Sequence, residues 1–266
     1  MSESIQTTEW ADGAVLTEIA DRIGTVTLNR PEARNALSSA VIRALPEAIG
    51  HLEASDDVDV MILTGTDPAF CAGLDLRELG DSGTNMGAGA PTRGPFPPHT
   101  KPLIGAINGV AVTGGFELAL CCDMLIASER ARFADTHARV GVMPGWGLSV
   151  LLPRAIGVRR ARELSLTGNY LDARTASDWG LVNRVVEHEE LLPTVRALAE
   201  DIIGNDQLGV RQMLRTYDRT SAVSVDDAWE VEASMGRAWL KESGFTPDRV
   251  AERRAAIQSR GRNQTR

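Results

Sequence analysis

Short β-branched runs alternate with amphipathic stretches along this chain, and the order in which they follow one another predicts the architecture. The runs GAVLTEIA and IGTVTLN, parted by Asp21 and Arg22, read as a β-hairpin. Pro31 turns the chain within RPEARNAL, and from about Ser38 to Ala54 apolar residues at Val41, Leu45, Ile49 and Leu52 mark one face of a helix. VDVMILTG follows, a short, apolar, β-branched run of the kind found in a strand covered on both faces. The theme then recurs: LIGAINGVAV reads as strand and turn, GGFELALCC as helix, and DMLIASERARFAD as strand material broken at Glu129 and Arg130. Strand, helix and strand at this spacing predict an α/β fold of stacked ββα or βαβ units on a mostly parallel framework.

Beyond Gly145 the strand signals thin out. GLSVLLPRAIG, VRRARELSLTG and DARTASDWG read as short helices closed by glycines, and LVNRVVE as one more strand. From Glu189 the pattern is helical, with interruptions near Gly204, Thr220 and Gly244. The expected organisation is a core over residues 1–190 and a helical C-terminal region over 191–266, of a size suited to a subdomain or an oligomer interface. Between Gly80 and His99 the segment GDSGTNMGAGAPTRGPFPPH has no periodicity and is rich in Gly and Pro, which favours a functional lid over a simple linker.

Composition narrows the class. Of 266 residues, 43% are hydrophobic and 24% charged, the balance of a soluble globular protein, and no apolar run approaches a membrane span. MSESIQTTEWADG lacks a basic start followed by an apolar stretch, so a cytoplasmic location is expected. Cys71, Cys121 and Cys122 fit no metal or redox spacing and read as small core residues. Only Lys101 and Lys241 among 28 basic residues are lysine, which points to an Arg-favouring, GC-rich genome rather than to a function. The net charge of −8 argues against general nucleic-acid binding. One local exception is the segment Arg249 to Arg266, with six arginines and a single acid, Glu252: either a solvated C-terminal helix or a surface for phosphates.

The candidate chemistry centres on AVTGGFELAL, where Glu117 follows Gly114 and Gly115 in an otherwise apolar run. A buried carboxylate without partners loses far more solvation than its contacts return, so this acid needs a reason. If Gly114 is the N-cap, Glu117 falls at the third helical position and can satisfy free N–H groups of its own helix. The other reading uses the glycines as well: a helix start leaves N–H groups unpaired, and glycine lets a ligand reach them. Two such donors converging on a carbonyl oxygen stabilise the charge it gains, and Glu117 is then placed to move a proton. A second glycine-bearing helix start follows a strand in DPAFCAGLDLREL, where the chain turns through Ala72 and Gly73 and a helix begins near Leu74 and Asp75.

Taken together, NRPEARNAL, LTGTDPAFCAGLDLREL, AINGVAVTGGFELALCCDMLIASERARF, GVMPGWG and LTGNYLDARTASDWGLVNRVV resemble the crotonase superfamily, the enoyl-CoA hydratase/isomerase family, in order from about Ile23 to Val186. The resemblance implies crotonase-like stacked ββα units with a C-terminal helical region, assembled as a homotrimer or a dimer of trimers. It implies an acyl-CoA thioester substrate that carries its own coenzyme A, with no separate cofactor. It also implies an oxyanion hole formed by the backbone N–H groups of Leu74 and Gly114, and Glu117 as acid/base. Ala33, Arg34, Ala36, Ala72, Gly73, Asp75 and Leu76 match positions lining the CoA channel, and the C-terminal arginines would suit the CoA phosphates across a subunit boundary. Trp146 is bulky where the family often has a small residue, which would narrow the acyl pocket.

One position departs from the family. Its hydratases generally carry a second glutamate in a segment shaped F-x-x-P-E; here the segment is FADTH, and His137 takes that place. Three readings compete: His137 acts as acid or base itself, Glu117 works alone as in an isomerase or a hydratase of reduced activity, or His137 is inert and the site binds acyl-CoA without turnover. Another crotonase reaction such as thioester hydrolysis uses the same oxyanion hole, and Asp135 is a fallback proton carrier.

Overall fold

The computed structural model describes residues 5–82, 94–242 and 246–264. The chain divides into two compact units, Met1–Gly204 and Asn205–Arg266. Strands of the first are β1 (Gln6–Trp10), β2 (Val15–Ala20), β3 (Ile23–Leu28), β4 (Val60–Gly65), β5 (Ala69–Cys71), β6 (Leu103–Ile107), β7 (Val110–Val112), β8 (Met124–Ser128), β9 (Arg132–Ala134), β10 (Leu171–Asp172) and β11 (Arg184–Val186). Its helices are α1 (Ser39–Ala54), α2 (Leu76–Asp81), α3 (Gly114–Leu120), α4 (His137–Val140), α5 (Leu148–Ile156), α6 (Val158–Thr167), α7 (Ala173–Asp178) and α8 (Leu191–Ile203). The mixed α/β class with a mostly parallel framework is as the sequence predicts.

A seven-stranded sheet runs in the order β1-β2-β3-β4-β6-β8-β11, antiparallel as far as β3 and parallel beyond it. Asp21 and Arg22 turn the β2–β3 hairpin with φ of 53° and 63°, the left-handed pair that matches strand twist. The unbroken apolar run in β4 follows from burial on both faces. Met61 and Leu63 point into the core that holds α1, while Val60 and Ile62 join Ile104, Ile126 and the Leu191, Val195 and Ala199 face of α8. The hydroxyl of Ser38 caps α1 by accepting the Val41 N–H.

A smaller sheet of four strands, ordered β10-β9-β7-β5, carries the site. β5, β7 and β9 run parallel, so the segments that leave them, Ala72 to Leu74, Thr113 to Gly114 and Asp135 to His137, emerge side by side at one edge. The sequence pattern does not reveal β5 and β10 because three and two residues are too few to show alternation. Most of the lid reading falls on residues 83–93, outside the described residues; Phe96, just beyond them, is buried in the core.

The second unit holds α9 (Gln207–Ser221), α10 (Val225–Lys241) and α11 (Pro247–Gln264). Within it Asp206 pairs with Arg249 and Arg253, and Arg260 donates to Asn205 Oδ1 at 3.3 Å, so Arg249, Arg253 and Arg260 are engaged inside the unit. Among the described residues no helix is long and apolar enough to cross a membrane.

Candidate active site

The two predicted helix starts meet. Leu37 N–H donates to Gly73 O at 2.7 Å and Asp75 N–H to Leu37 O at 3.0 Å, a parallel bridge that turns the Leu74 N–H away from Leu37. Neither the Leu74 nor the Gly114 N–H has an acceptor among the described residues. Gly73 adopts φ +90°, and a Cβ there would lie 2.7 Å from Val112 O, so only glycine lets this turn lie against the end of β7. Gly115 does the same from the other side: its Cβ would lie 2.2 Å from Cys71 O. The missing side chains thus bring the two free donors onto neighbouring chain turns.

The N-cap of α3 is Thr113, one residue earlier than the local pattern suggested, with φ 53° and ψ −114°. Such a conformation is costly for a β-branched residue. It is held by the Thr113 N–H bond to Ala134 O at 2.9 Å and by a short hydrogen bond between the hydroxyls of Thr113 and Thr136.

Glu117 does not cap its own helix. Its Oε1 accepts the N–H groups of Trp146 (2.7 Å) and Leu148 (3.3 Å), at the start of α5. Its Oε2 lies 3.5 Å from His137 Nε2. On the far side of that ring, His137 Nδ1 is 2.6 Å from Asp135 Oδ1, which also accepts the His137 backbone N–H at 3.2 Å. All three side chains are buried, with Glu117, Asp135 and His137 exposing 3%, 2% and 5%. Burial opposes charge on His137, but the hydrogen bond to Asp135, the facing Glu117 carboxylate and the negative charge of both outweigh it and raise the imidazolium pKa to about 9. Burial also works against ionisation of Asp135, yet its hydrogen bonds from His137 and Ser165 hold its carboxyl below the usual value.

A small cleft lined by Ala72, Leu74, Leu76, Thr113, Thr136, Val140 and Val142 adjoins this cluster through Thr136, the chain neighbour of Asp135 and His137, which with Glu117 lie behind its lining. Trp146 borders the same ground: its ring edge would be 3.6 Å from a Cβ on Gly114. Thus Leu74, Gly114, Glu117, His137 and Trp146 come together. Ala33, Arg34 and Ala36 sit on the segment after β3, joined to the site where Ala72 N–H donates to Arg34 O at 3.0 Å. Leu76 is exposed. Asp75 is engaged: it caps α2 through the Arg77 N–H and pairs with Arg30 at 3.1 Å, while Arg30 also donates to Ala36 O. Burial resists charge on Asp75, but Arg30 and the Arg77 and Glu78 N–H groups lower its pKa.

Several supporting residues escape sequence reasoning. Asn35, fully buried with φ 58°, donates to Thr66 O and Ala69 O and accepts from Arg30 N–H, which ties the loop after β3 to β5. Thr113, Thr136 and Ser165 are equally silent as sequence; only the polarity of Thr113 before two glycines in an apolar run signals anything. Cys71 is a core residue as expected, while Cys121 and Cys122 are half-buried against the core; burial pushes the Cys71 and Cys121 thiols up to about 12.

A profile of the enoyl-CoA hydratase/isomerase family matches residues 18–255. The chain is 39% identical over 242 residues to the probable peroxisomal enoyl-CoA hydratase 1 of Arabidopsis thaliana, covering 90% of each. It is 34% identical to the short-chain-enoyl-CoA hydratase of Clostridium acetobutylicum, over 82% of this chain and 86% of that protein. Among solved structures, an enoyl-CoA hydratase from Mycobacterium tuberculosis superposes with a TM-score of 0.74 at 51% identity, covering 84% of this chain and 98% of that one.

Proposed function

Since the chain belongs to the enoyl-CoA hydratase/isomerase family and its enzymes act on acyl-CoA thioesters, we propose that it hydrates 2-enoyl-CoA, with Glu117 and His137 sharing the proton work. The observation that carries this reading is the buried Asp135, His137 and Glu117 series beside two unpaired N–H groups. A hydratase needs one group to take a proton from water and another to give one to the α-carbon. Here His137 occupies the second place, its pKa raised by its two carboxylate neighbours.

In this reading Glu117 removes a proton from water as the water oxygen bonds to the β-carbon. The double-bond electrons pass to the thioester oxygen, held by the Leu74 and Gly114 N–H groups. His137 Nε2–H then protonates the α-carbon as the enolate collapses. This leaves Glu117 protonated and His137 neutral; one proton transfer across the 3.5 Å gap restores both. Trp146 walls the acyl pocket, and the channel residues Ala33, Arg34, Ala36, Ala72, Gly73, Asp75 and Leu76 border the pantetheine and nucleotide. A homotrimer or dimer of trimers, with the C-terminal arginines near CoA phosphates of an adjacent subunit, belongs to the same proposal.

The test is mass spectrometry of a trans-2-enoyl-CoA panel incubated with the protein. The expected product is heavier by one water and is lost in Glu117→Gln, whose acyl-CoA affinity is retained. Acyl-CoA binding without that product refutes hydration, and a shifted double bond in its place identifies the isomerase of the same family.

A further inference from the structure

We infer that Asp135 is a positioning residue: its carboxylate holds the His137 ring doubly protonated with Nε2–H turned toward Glu117, so the two residues together stand in for a second catalytic carboxylate. This deepens the proposed hydration and rests on it. The geometry carries the argument. An ionised carboxylate only accepts, so the 2.6 Å contact with Asp135 Oδ1 places a proton on Nδ1. The opposite nitrogen faces a second acceptor, Glu117 Oε2, at 3.5 Å, so both ring nitrogens are best satisfied as donors. That second separation is long for a hydrogen bond, which leaves the Nε2 proton available to a reacting atom beside Glu117.

Asp135 is fixed from three directions. It directly follows β9, it accepts the His137 backbone N–H at 3.2 Å, and the Ser165 hydroxyl of α6 donates to it. Asp135 sits on the Nδ1 side of the ring, opposite the Nε2 that faces Glu117, so it acts through His137. Among the described residues, the titratable groups facing the ring are Asp135 and Glu117. From α4, Arg139 turns its guanidinium to Thr167 O and Asn169 Oδ1, and the charged residues of α6, Arg159, Arg160, Arg162 and Glu163, are exposed.

The experiment is a 15N NMR titration of the His137 ring in the full-length native protein and in Asp135→Asn, with pH profiles of hydration for both. Native His137 is expected to remain cationic through neutral pH, with its midpoint near 9. Asp135→Asn keeps the shape but removes the charge, and should bring the midpoint to about 7 or below. Turnover should fall about 10- to 100-fold with KM within about twofold, and the alkaline limb of kcat/KM should move toward acid. In a His137→Gln background the same change should cost nothing further. A native His137 that is neutral at neutral pH, a titration unmoved by Asp135→Asn, or an equal loss in the His137→Gln background would overturn the inference. The native titration decides even if the variant does not fold. A protein that hydrates no enoyl-CoA defeats the proposed function, while the titrations still decide whether Asp135 holds the ring charged.

Discussion

Gly115 is where packing and chemistry meet most tightly. A Cβ at this position would lie 2.2 Å from Cys71 O, 2.7 Å from Cys71 Cβ and 2.9 Å from Cys71 C. Carbon atoms in favourable contact sit about 3.5 Å apart, so Gly115→Ala requires α3 to retreat from the end of β5 by about 1 Å. Two of these atoms are backbone of a fully buried strand and the third is fixed to it, so none can rotate aside. Overpacking of this kind costs about 1–3 kcal/mol of stability. The retreat also carries the Gly114 N–H away from the Leu74 N–H, and a misplacement of about 1 Å costs on the order of 100-fold in rate. That approaches the roughly 100- to 1,000-fold expected for losing one oxyanion donor outright. Urea unfolding and steady-state kinetics on a 2-enoyl-CoA measure both effects, with the kinetic loss expected mainly in kcat. Gly50→Ala is the control: it lies inside α1 with no atom within 4 Å of its Cβ, and should add about 0.5–1 kcal/mol without touching turnover. If Gly115→Ala kept native stability and native kcat, glycine at this position would not be what sets the two donors together.

The remaining expectations concern the acid, the histidine and the pocket wall. Glu117→Gln should lower turnover by a factor on the order of 100 or more, since the amide still accepts the Trp146 and Leu148 N–H groups but takes up no proton; unchanged kcat would remove Glu117 from the mechanism. His137 has a raised pKa, so its charge contributes stability that is fully present below the unfolded value of 6.5 and is lost as pH rises through about 9. Urea unfolding of the native protein should therefore lose on the order of 1–3 kcal/mol across that window relative to His137→Gln, and parallel curves would contradict it. Trp146→Gly should shift kcat/KM toward longer acyl chains, measured on enoyl-CoA thioesters of increasing length; an unchanged preference would free Trp146 from that role.

Much of the site was legible as pattern. The glycine turns at Gly73 and Gly114 announced themselves because turn chemistry is local, and Glu117 because a carboxylate is out of place in an apolar run. The substitution of His137 for a glutamate was visible too, but not its consequence. Whether a histidine is inert or charged depends on what touches its two ring nitrogens, and Asp135 and Glu117 reach it from different elements. Of the two roles the local pattern allows Glu117, the structure sets aside self-capping: the free N–H groups it satisfies belong to the start of α5, 29 residues on in the chain.

The sequence alone determined the alternation of elements, the α/β class and the residue types at the chemical positions. These follow from periods of 2 and 3.6 residues and from the backbone preferences of Gly and Pro, all of which act within a few positions. The tertiary structure decided which turns lie side by side and what surrounds each charge. β5 and β7 are separated by nearly forty residues, yet their parallel pairing sets the two free N–H groups on adjacent turns. That pairing is stabilised by burial summed over the whole core, a quantity no short window of sequence contains.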